Sequence, residues 1–531
     1  MAAAEQNGTA SGLTATSSKN DSLSSEDPYA ELAIVEAEVE SVSSTLAGLI
    51  RKLHNLKARI NELHSPIVRL LPPEIVSEVF LFCIPIFDPF DEPPNTKDLS
   101  APLKIGAVCS SWRGTAWATP SLWSTLTFHL TSSMKIPVQT TLLEEWLSRS
   151  GQLPLCIRLT SSDEVSWVGV SSEGMMKAIR KYAPRWRDVD IRLPSVCYRY
   201  LPPPEETENF PVLHSLTLKP PGGQADRIHK VTIPQSAELR YLALSCLYLK
   251  SVVFHFQVLT HLDLESFYVD EILEMLRQST ALVKFTARKI LGGDDRHPIP
   301  EEAIVLPYVE DMCIINDKGA ELQVMLEKIS TPKLRKLSYT GDNLLSTPSV
   351  EIASLIKQSG CYLETLSISK SPIREEPFQL LLSNLHSVTA LTLTMPVFAI
   401  SRHTPLTDAV LQTCDPQWAQ SNKVPCSLPE LNSLTYSGTQ GFTWATLLRV
   451  LDSRCPVPEA KGSSHSAIAP PSNAASCIRS VKLSLNILTA EESSSYPPPC
   501  QASLESLSLR GVKIASEIII RPESVIDQSE E

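Results

Sequence analysis

The first regular pattern along the chain is a run of apolar residues spaced alternately by four and three positions. Its members are Val35, Val39, Val42, Leu46, Leu49, Leu53, Leu56, Ile60, Leu63 and Ile67. This heptad spacing places them on one stripe of a single helix, which we predict over residues 29–66. Three serines and a glycine weaken the helix and leave two interpretations open. The stripe forms a coiled-coil dimer, or it lies on the domain that follows.

The segment ahead of this helix, residues 1–28, has no periodicity and is dominated by Ser, Thr, Ala and Asn. Such a composition buries too little apolar surface to offset the conformational entropy of an ordered chain. We therefore predict a disordered tail.

The longest pattern is a repeated unit of the form apolar-x-x-apolar-x-apolar. Its copies begin at Trp186, Leu213, Leu239, Leu259, Leu282, Val309, Leu334, Leu363, Val388, Leu431, Ile478 and Leu504. Nearly all intervals are about 20 to 29 residues, which is the period of leucine-rich repeats. Each unit predicts a strand whose leucines point into a stacked core, with helices on the return path. The predicted fold class is α/β: an N-terminal helix, a short helical domain, and a leucine-rich-repeat-like solenoid with a parallel sheet over residues 186–515.

Two intervals are longer than this period, and both contain segments rich in Pro and Ser. These segments, residues 405–429 and 456–473, are interpreted as surface insertions. The remaining boundaries place the helical domain at 67–128, a connecting segment at 129–185, and a C-terminal tail at 516–531.

Two short amphipathic helices are predicted between the heptad helix and the repeats. The first begins at the prolines after Leu71, because Pro is favoured in the first turn of a helix, and it carries Ile75 and Val79. The second carries Val108 and Trp112. Two helices of this size form no independent core, so we expect their apolar sides to be covered by neighbouring segments or by a partner protein.

This region, residues 65–128, resembles an F-box of the variant common in mushroom-forming fungi. The resemblance rests on Leu-Pro-Pro-Glu-Ile from Leu71, Val-Cys-Ser-Ser-Trp-Arg from Val108, and a closing Leu122-Trp123. A segment at 146–155 is similar to the one that joins the F-box to the repeats in the same group. The sequence departs from the family by a Pro- and Asp-rich insertion at residues 85–100.

The resemblance implies a substrate-receptor subunit of an SCF-type cullin ubiquitin ligase. In that family the F-box docks a Skp-type adaptor, which connects it to a cullin, and the repeats bind the target protein. The adaptor-binding side then falls on Leu71, Pro72, Ile75, Val79, Val108, Cys109 and Trp112. The target is not specified by the sequence. An alternative is a non-catalytic scaffold whose F-box-like element recruits no ligase.

Composition narrows the classes of partner. The formal charge is -12, from 47 Lys and Arg against 59 Asp and Glu, which disfavours binding to nucleic acid or to anionic membranes. No apolar run approaches the ~18 residues of a spanning helix, so we expect no membrane partner and a location in the cytoplasm or nucleus. The 12 cysteines are scattered without a Cys-x-x-Cys pair and are interpreted as small buried hydrophobes of a reducing compartment.

Known catalytic motifs are absent from the sequence, including phosphate-binding loops, the nucleophile elbow and His-Glu-x-x-His. We therefore expect no enzymatic activity, no cofactor and no metal site. His261, with Asp263 two positions on, is interpreted as an exposed strand residue. An enzyme built on a repeat scaffold is the less favoured alternative.

The residues between the core positions of each repeat are predicted to face the concave side of the sheet. They include Ser215, Thr217, Lys219, His261, Asp263, Glu265, Thr365, Ser367, Ser369, Ser433, Thr435 and Ser437. This face carries small hydroxyls without the Lys and Arg stripe that phosphate binding needs. It is either a peptide-binding surface or a solvated face of the sheet.

Overall fold

The computed structural model of the protein describes most of the chain between residues 28 and 520. The described residues are 28–64, 67, 70–84, 87, 100–130, 136–161, 172–201, 210–221, 231–232, 236–247, 252–253, 256–293, 297–315, 319–342, 347–396, 404–455, 475–487 and 498–520. The predicted N-terminal tail, except for residue 28, and the insertion at 456–473 lie outside them. So do most of the insertion at 85–100 and the last eleven residues of the predicted C-terminal tail.

Helices precede the sheet and then alternate with its strands. The α-helices are α1 (Pro28–His64), α2 (Pro73–Leu81), α3 (Ala101–Val108), α4 (Ser110–Ala118), α5 (Ile136–Arg149), α6 (Glu173–Arg180), α7 (Val269–Gln278), α8 (Gly319–Glu327), α9 (Ser349–Ser359), α10 (Glu375–Leu382), α11 (Asp408–Thr413), α12 (Pro416–Asn422), α13 (Trp444–Arg454) and α14 (Pro498–Leu509). Short 3-10 helices lie at Pro120–Trp123, Ala183–Arg185 and Ser195–Tyr200.

The strands are short, and most follow one another at the repeat period. They are β1 (Thr125–Leu130), β2 (Leu155–Ser161), β3 (Trp186–Arg192), β4 (Ser215–Leu218), β5 (Val231–Thr232), β6 (Tyr241–Ser245), β7 (Val252–Val253), β8 (His261–Glu265), β9 (Lys284–Arg288), β10 (Ile304–Val305), β11 (Asp311–Ile315), β12 (Ile329–Ser330), β13 (Lys336–Thr340), β14 (Thr365–Ser369), β15 (Ala390–Thr394), β16 (Ser433–Thr439), β17 (Ser480–Ile487) and β18 (Lys513–Ile520).

Fourteen of these strands form one sheet in the order β1-β2-β3-β4-β6-β8-β9-β11-β13-β14-β15-β16-β17-β18. Each strand pairs in parallel with the next one in this order. The short strands β5 with β7, and β10 with β12, form two separate two-stranded pairs. The α/β fold class with a solenoid-like parallel sheet is confirmed.

The core of the solenoid is the layer between the sheet and its helices. The predicted core leucines are fully buried: Leu242 and Leu366 are 0% exposed and Leu262 is 1% exposed. Helices on the return path were predicted, and one of them is α7, whose Ile272 and Leu276 are buried in the same layer. Stacking neighbouring repeats therefore joins their apolar residues into one continuous core, as expected for a solenoid.

Several strands end in the same backbone turn. The residue directly after β6, β8, β9 and β14 has a positive φ, between 49° and 59°, although none of the four is glycine. Its N–H still donates to the last carbonyl of the next strand: Cys246 donates to Glu265 at 2.9 Å and Lys370 to Thr394 at 2.8 Å. The turn leaves the sheet without losing a backbone hydrogen bond, which offsets the cost of the left-handed conformation.

The sheet extends further in both directions than the predicted 186–515. At the start, β1 crosses the predicted boundary between the helical domain and the connecting segment, and β2 lies within that connecting segment. At the end, β18 continues to Ile520. All β2 side chains are buried, on both faces of the sheet. The sequence of this strand carries no complete repeat signature.

The repeat unit predicted at Leu504 is wrong. Leu504 and Leu507 lie in α14, where a separation of three residues places both on one side of the helix. Leu507 is 1% exposed and Leu504 is partly buried against the same core. The strand of this repeat is β18 instead, in which Ile514 packs against the core.

The segment at 405–429 is not a surface insertion as predicted. It forms α11 and α12, and Leu406, Val410 and Leu428 are buried in the core. Asp415 caps α12 by accepting hydrogen bonds from the N–H groups of Gln417 and Trp418. Pro416 therefore stands in the first turn of a helix, where proline is favoured, and does not mark an exposed loop.

Helix α1 confirms the predicted heptad helix but not its packing on the following domain. Every seam residue from Val35 to Ile60 is between 46% and 67% exposed. The seam of α1 therefore lies open over this length. No helix among the described residues is both long and apolar enough to cross a membrane.

Candidate interaction surfaces

Helices α2, α3 and α4, together with the 3-10 helix at Pro120–Trp123, form a small helical unit at the start of the solenoid. Val76 and Phe80 of α2 are buried, at 5% and 1% exposure, and so is Ile105 of α3. The Ser77 and Thr119 hydroxyls lie 2.9 Å apart and connect α2 to the end of α4. These buried side chains belong to the same continuous core as the solenoid.

The adjoining side of α2 is apolar and exposed. Ile75 is 47% exposed, Val79 is 42% exposed, and Phe82, just past the end of the helix, is 90% exposed. Leu71 before the helix is 38% exposed, and Val108 at the end of α3 is 52% exposed. We call the set Leu71, Pro72, Ile75, Val79, Phe82 and Val108 the apolar face of the helical unit.

A groove of about 510 Å³ lies between the end of α2 and α3. Phe82 and Cys83 line it on the α2 side, and Ala101, Val108 and Trp112 line it from α3 and α4. The groove adjoins exposed members of the apolar face at Phe82 and Val108. An apolar surface that continues into a groove suits the side chains of a partner protein.

The other two predicted adaptor-binding residues have internal roles. The Cys109 sulfur caps α4 by accepting the N–H of Trp112 at 3.4 Å. The Trp112 ring packs on Phe80, with 5.0 Å between ring centroids. Both side chains are partly buried, so they shape the helical unit and only their outer edges lie at its surface.

A tryptophan cluster joins the helical unit to the solenoid. Trp123 is 0% exposed and stands edge-on to Trp117 at 5.2 Å and to Trp146 of α5 at 4.8 Å. The guanidinium of Arg149 lies over both Trp117 and Trp123. Gly106 of α3 contributes by its size, because a Cβ there would overlap the Trp117 ring. The cluster fixes the helical unit against the first repeat and leaves the apolar face turned outward.

The second candidate surface is the face of the sheet that points away from the leucine core, which we call the polar face. From β13 to β17 it alternates strictly with the core, and its hydroxyls are half-buried. The strand register aligns them in rows, such as Ser338, Ser367, Thr392 and Thr435. As predicted, these residues lie on the face of the sheet away from the core. Rows of hydroxyls offer hydrogen-bond donors and acceptors at the strand spacing.

The polar face from β2 to β9 has a different character, because it contains buried carboxylates that are paired with cations. Asp190 is 0% exposed and accepts from the Arg158 guanidinium at 2.8 Å and from Arg192 at 3.0 Å. Asp263 accepts from Lys219 at 3.0 Å and from Arg288 at 2.5 Å. Each carboxylate is thus paired with two cations: Asp190 with one from β2 and one from its own strand, and Asp263 with Arg288 of β9 and with Lys219, which follows β4.

Burial also shifts the pKa values of two side chains in this region. Burial, together with the Asp188 carboxylate, raises the pKa of the Cys156 thiol to about 11. Burial and the neighbouring Lys284 ammonium lower the pKa of His261 below its usual value. A thiol with such a pKa is a poor nucleophile at neutral pH, so Cys156 is a structural residue.

Predictions for the first repeats need correction. Ser215 and Thr217 are 0% and 1% exposed, not solvated as members of an open face. His261 is half-buried and its Nδ1 lies 2.9 Å from the Thr260 hydroxyl, so it is not an exposed strand residue. The ring of Phe87, from the predicted insertion, lies over Arg158 at 4.7 Å to its centroid. Part of the insertion therefore reaches the polar face, which no local sequence signal indicates.

The cysteines also differ from the prediction in one place. Cys455 at the end of α13 and Cys477 before β17 form a disulfide. Cys156, Cys197, Cys246 and Cys414 are buried with free thiols, as small hydrophobes would be. Among the described residues, no group of three or more His, Cys, Asp or Glu side chains is placed to hold a metal ion.

Comparisons with known proteins add little to this geometry. No protein-family model matches the chain, and a search of curated proteins found no match. Similar solved structures include a crystal structure of the Rad7 and Elc1 complex in yeast, at 13% identity and a TM-score of 0.27. That match covers 80% of this chain and 95% of the other.

Proposed function

We propose that the protein is a non-catalytic substrate receptor of an SCF-type ubiquitin ligase. In this proposal the helical unit is an F-box that docks a Skp-type adaptor, and through it a cullin, while the solenoid holds the target protein. The observation that carries the proposal is the apolar face. A unit already packed on the solenoid through its tryptophan cluster still exposes several large apolar side chains together.

The energetics favour a protein partner on this face. Exposed apolar residues scattered singly are ordinary, but a contiguous group next to a groove is typical of a protein interface. Ile75 and Val79 are one helical turn apart on α2. Val108 of α3 lines the same groove as Phe82. Burying such anchors stabilises a complex by ~2 kcal/mol or more for each of the best-packed side chains.

The adaptor assignment is tested by charge placed on the apolar face. We expect Ile75→Glu with Val79→Glu to reduce binding of a Skp-type adaptor by at least ~30-fold, because two anchors are lost and two carboxylates are desolvated. The matched control is Val138→Glu, which introduces the same change at a 74% exposed position of α5. Adaptor binding is measured by calorimetry. If the double variant bound the adaptor as tightly as the wild type, the assignment would be contradicted.

We assign target binding to the polar face from β13 to β17. The assignment is supported by its half-buried hydroxyls, which are available for hydrogen bonds, whereas the charges of the first repeats are paired with one another. Ser367 and Thr392 lie side by side in its middle row. Replacing both with Arg should remove a subset of the proteins captured by the chain while adaptor binding is unchanged. The same capture profile from wild type and variant would exclude this surface.

A further inference from the structure

Helix α1 carries a stripe of apolar side chains that the other described residues leave uncovered. The helix has 37 residues and is about 55 Å long at the usual rise of 1.5 Å per residue. In heptad letters, Leu32, Val39, Leu46, Leu53 and Ile60 occupy position a, and Val35, Val42, Leu49 and Leu56 occupy position d. All of them are at least 46% exposed. The helix breakers lie off this stripe: Gly48 is at position c, and a Cβ added there would meet nothing within 4 Å.

We propose that this stripe binds a second copy of the same chain in an antiparallel two-helix coiled coil. The choice of partner and direction rests on the charged residues that flank the stripe. The g positions read Glu31, Glu38, Thr45, Lys52 and Arg59, all of them exposed. They are acidic at the start of the helix and basic at its end, with a neutral residue in the middle.

A parallel pair is disfavoured by these charges. In a parallel coiled coil each g residue faces the e residue of the next heptad in the partner. Glu31 would then face the partner's Glu36, and Lys52 would face the partner's Lys57. Both contacts occur twice in a symmetric dimer, so four contacts would bring like charges together, and the remaining g positions offer no compensating pair of opposite charges.

An antiparallel pair removes this conflict, because each g residue then faces a g residue of the partner. With Thr45 next to the partner's Thr45 at the two-fold axis, Glu38 faces the partner's Lys52 and Glu31 faces the partner's Arg59. Symmetry repeats both contacts, which gives four contacts between opposite charges. The same register sets Leu46 against the partner's Val42 and Val39 against the partner's Leu49, so every core layer is apolar.

Sedimentation of the purified full chain tests the dimer. We expect a mass of about twice the 58.5 kDa of one chain, and a single chain mass after Leu46→Asp with Leu49→Asp. Both substitutions are at exposed positions, so thermal unfolding of the solenoid should be unchanged and should confirm that the variant is folded. A wild-type chain that sediments as a monomer at concentrations up to tens of micromolar would overturn the proposal.

Charge reversal tests the direction. Glu31→Lys with Glu38→Lys should weaken dimerisation on the order of 50-fold, because four attractive contacts become repulsive at roughly threefold each. Lys52→Glu with Arg59→Glu should do the same, and an equimolar mixture of the two variants should restore a heterodimer. The control Glu40→Lys reverses a charge at position b, away from the partner, and should have little effect. A mixture that stays monomeric would overturn the antiparallel arrangement.

Crosslinking tests the register. Thr45→Cys places a thiol beside its own symmetry mate only in the proposed antiparallel register, because g positions of a parallel pair lie on opposite sides of the core. We expect oxidation to give a covalent dimer with Thr45→Cys and none above the wild-type background with Ser44→Cys, whose thiol points outward. Equal crosslinking of the two variants would exclude this register.

Discussion

The buried pair of Arg158 and Asp190 allows a sharp test of how the polar face contributes to stability. Asp190→Ala removes the carboxylate that lies 2.8 Å from Arg158, and both side chains are at most 2% exposed. The guanidinium stays behind in a site that water does not reach. Removing one partner of a buried pair typically costs ~3 to 5 kcal/mol, because the remaining charge is no longer compensated.

Asp311 provides the matched control. It is also an aspartate on the polar face, and it pairs with Lys284 across 3.5 Å. Its side chain is 35% exposed and that of Lys284 is 42% exposed, so water screens the pair. We expect Asp311→Ala to cost ~0 to 1 kcal/mol of unfolding free energy.

Urea unfolding followed by tryptophan fluorescence is a suitable measurement, since the buried Trp186 begins the same strand as Asp190. A second variant separates charge from packing: Arg158→Met with Asp190→Leu should lose less stability than Asp190→Ala alone, because it leaves no buried charge. If Asp190→Ala cost no more than Asp311→Ala, the reasoning would be refuted, and the pair would have to be solvated in solution.

Three further predictions concern the core, a close contact and a titration. Leu242→Ala should lower the unfolding free energy by ~2 to 5 kcal/mol through a cavity, while Thr365→Ala on the polar face should stay within about 0.5 kcal/mol; equal losses in urea unfolding would refute the register of the sheet. Gly106→Ala should cost ~1 to 3 kcal/mol because its Cβ overlaps an indole ring, whereas Gly114→Ala, with open space around it, should be neutral or stabilising when both are compared by calorimetry. Burial lowers the folded-state pKa of His261, so the unfolded chain binds its proton first as the pH falls below about 6.5. The free energy of unfolding should therefore drop from pH 7.5 to 5.5, and His261→Gln should reduce that drop. An unchanged dependence of the unfolding free energy on pH in this variant would contradict the shift.

The sheet could be predicted from sequence wherever a core strand carried the repeat signature. Leu262 illustrates this, because its position in apolar-x-x-apolar-x-apolar is the buried position in the structure. The failure at Leu504 has a physical cause: a separation of three residues between leucines also places them on one side of a helix. The two prolines at the start of α14 were the available signal for that helix.

The helices in the segment at 405–429 were predictable from a signal that composition concealed. Asp415 followed by Pro416 is a helix start, with a capping carboxylate and a proline in the first turn. The Pro and Ser content of the segment predicted a surface insertion instead. A local capping signal is more informative here than the average composition of the segment.

The sequence predicted α2 and its apolar residues, but not which of them are exposed. The apolar stripe of α2 is wider than the part that is buried, so periodicity alone does not decide which of its apolar residues face the solenoid. In the structure Val76 and Phe80 are buried, and Ile75 and Val79 are exposed. Phe82 was not among the predicted site residues, although its side chain is the most exposed of the face.

The polar face changes character along the solenoid, and this change determines what kind of ligand each part can bind. In the first repeats, Asp190 and Asp263 are each neutralised by two neighbouring cations, so these charges stabilise the sheet and are not available to a partner. From β13 to β17 the face presents rows of half-buried hydroxyls, with Lys336 and Lys482 as the charged positions of those strands. A target bound there, as we propose, would be recognised by hydrogen bonds and shape more than by net charge, because a hydroxyl is neutral and acts only on the groups that it contacts. The -12 charge of the whole chain therefore says little about the ligand of this face.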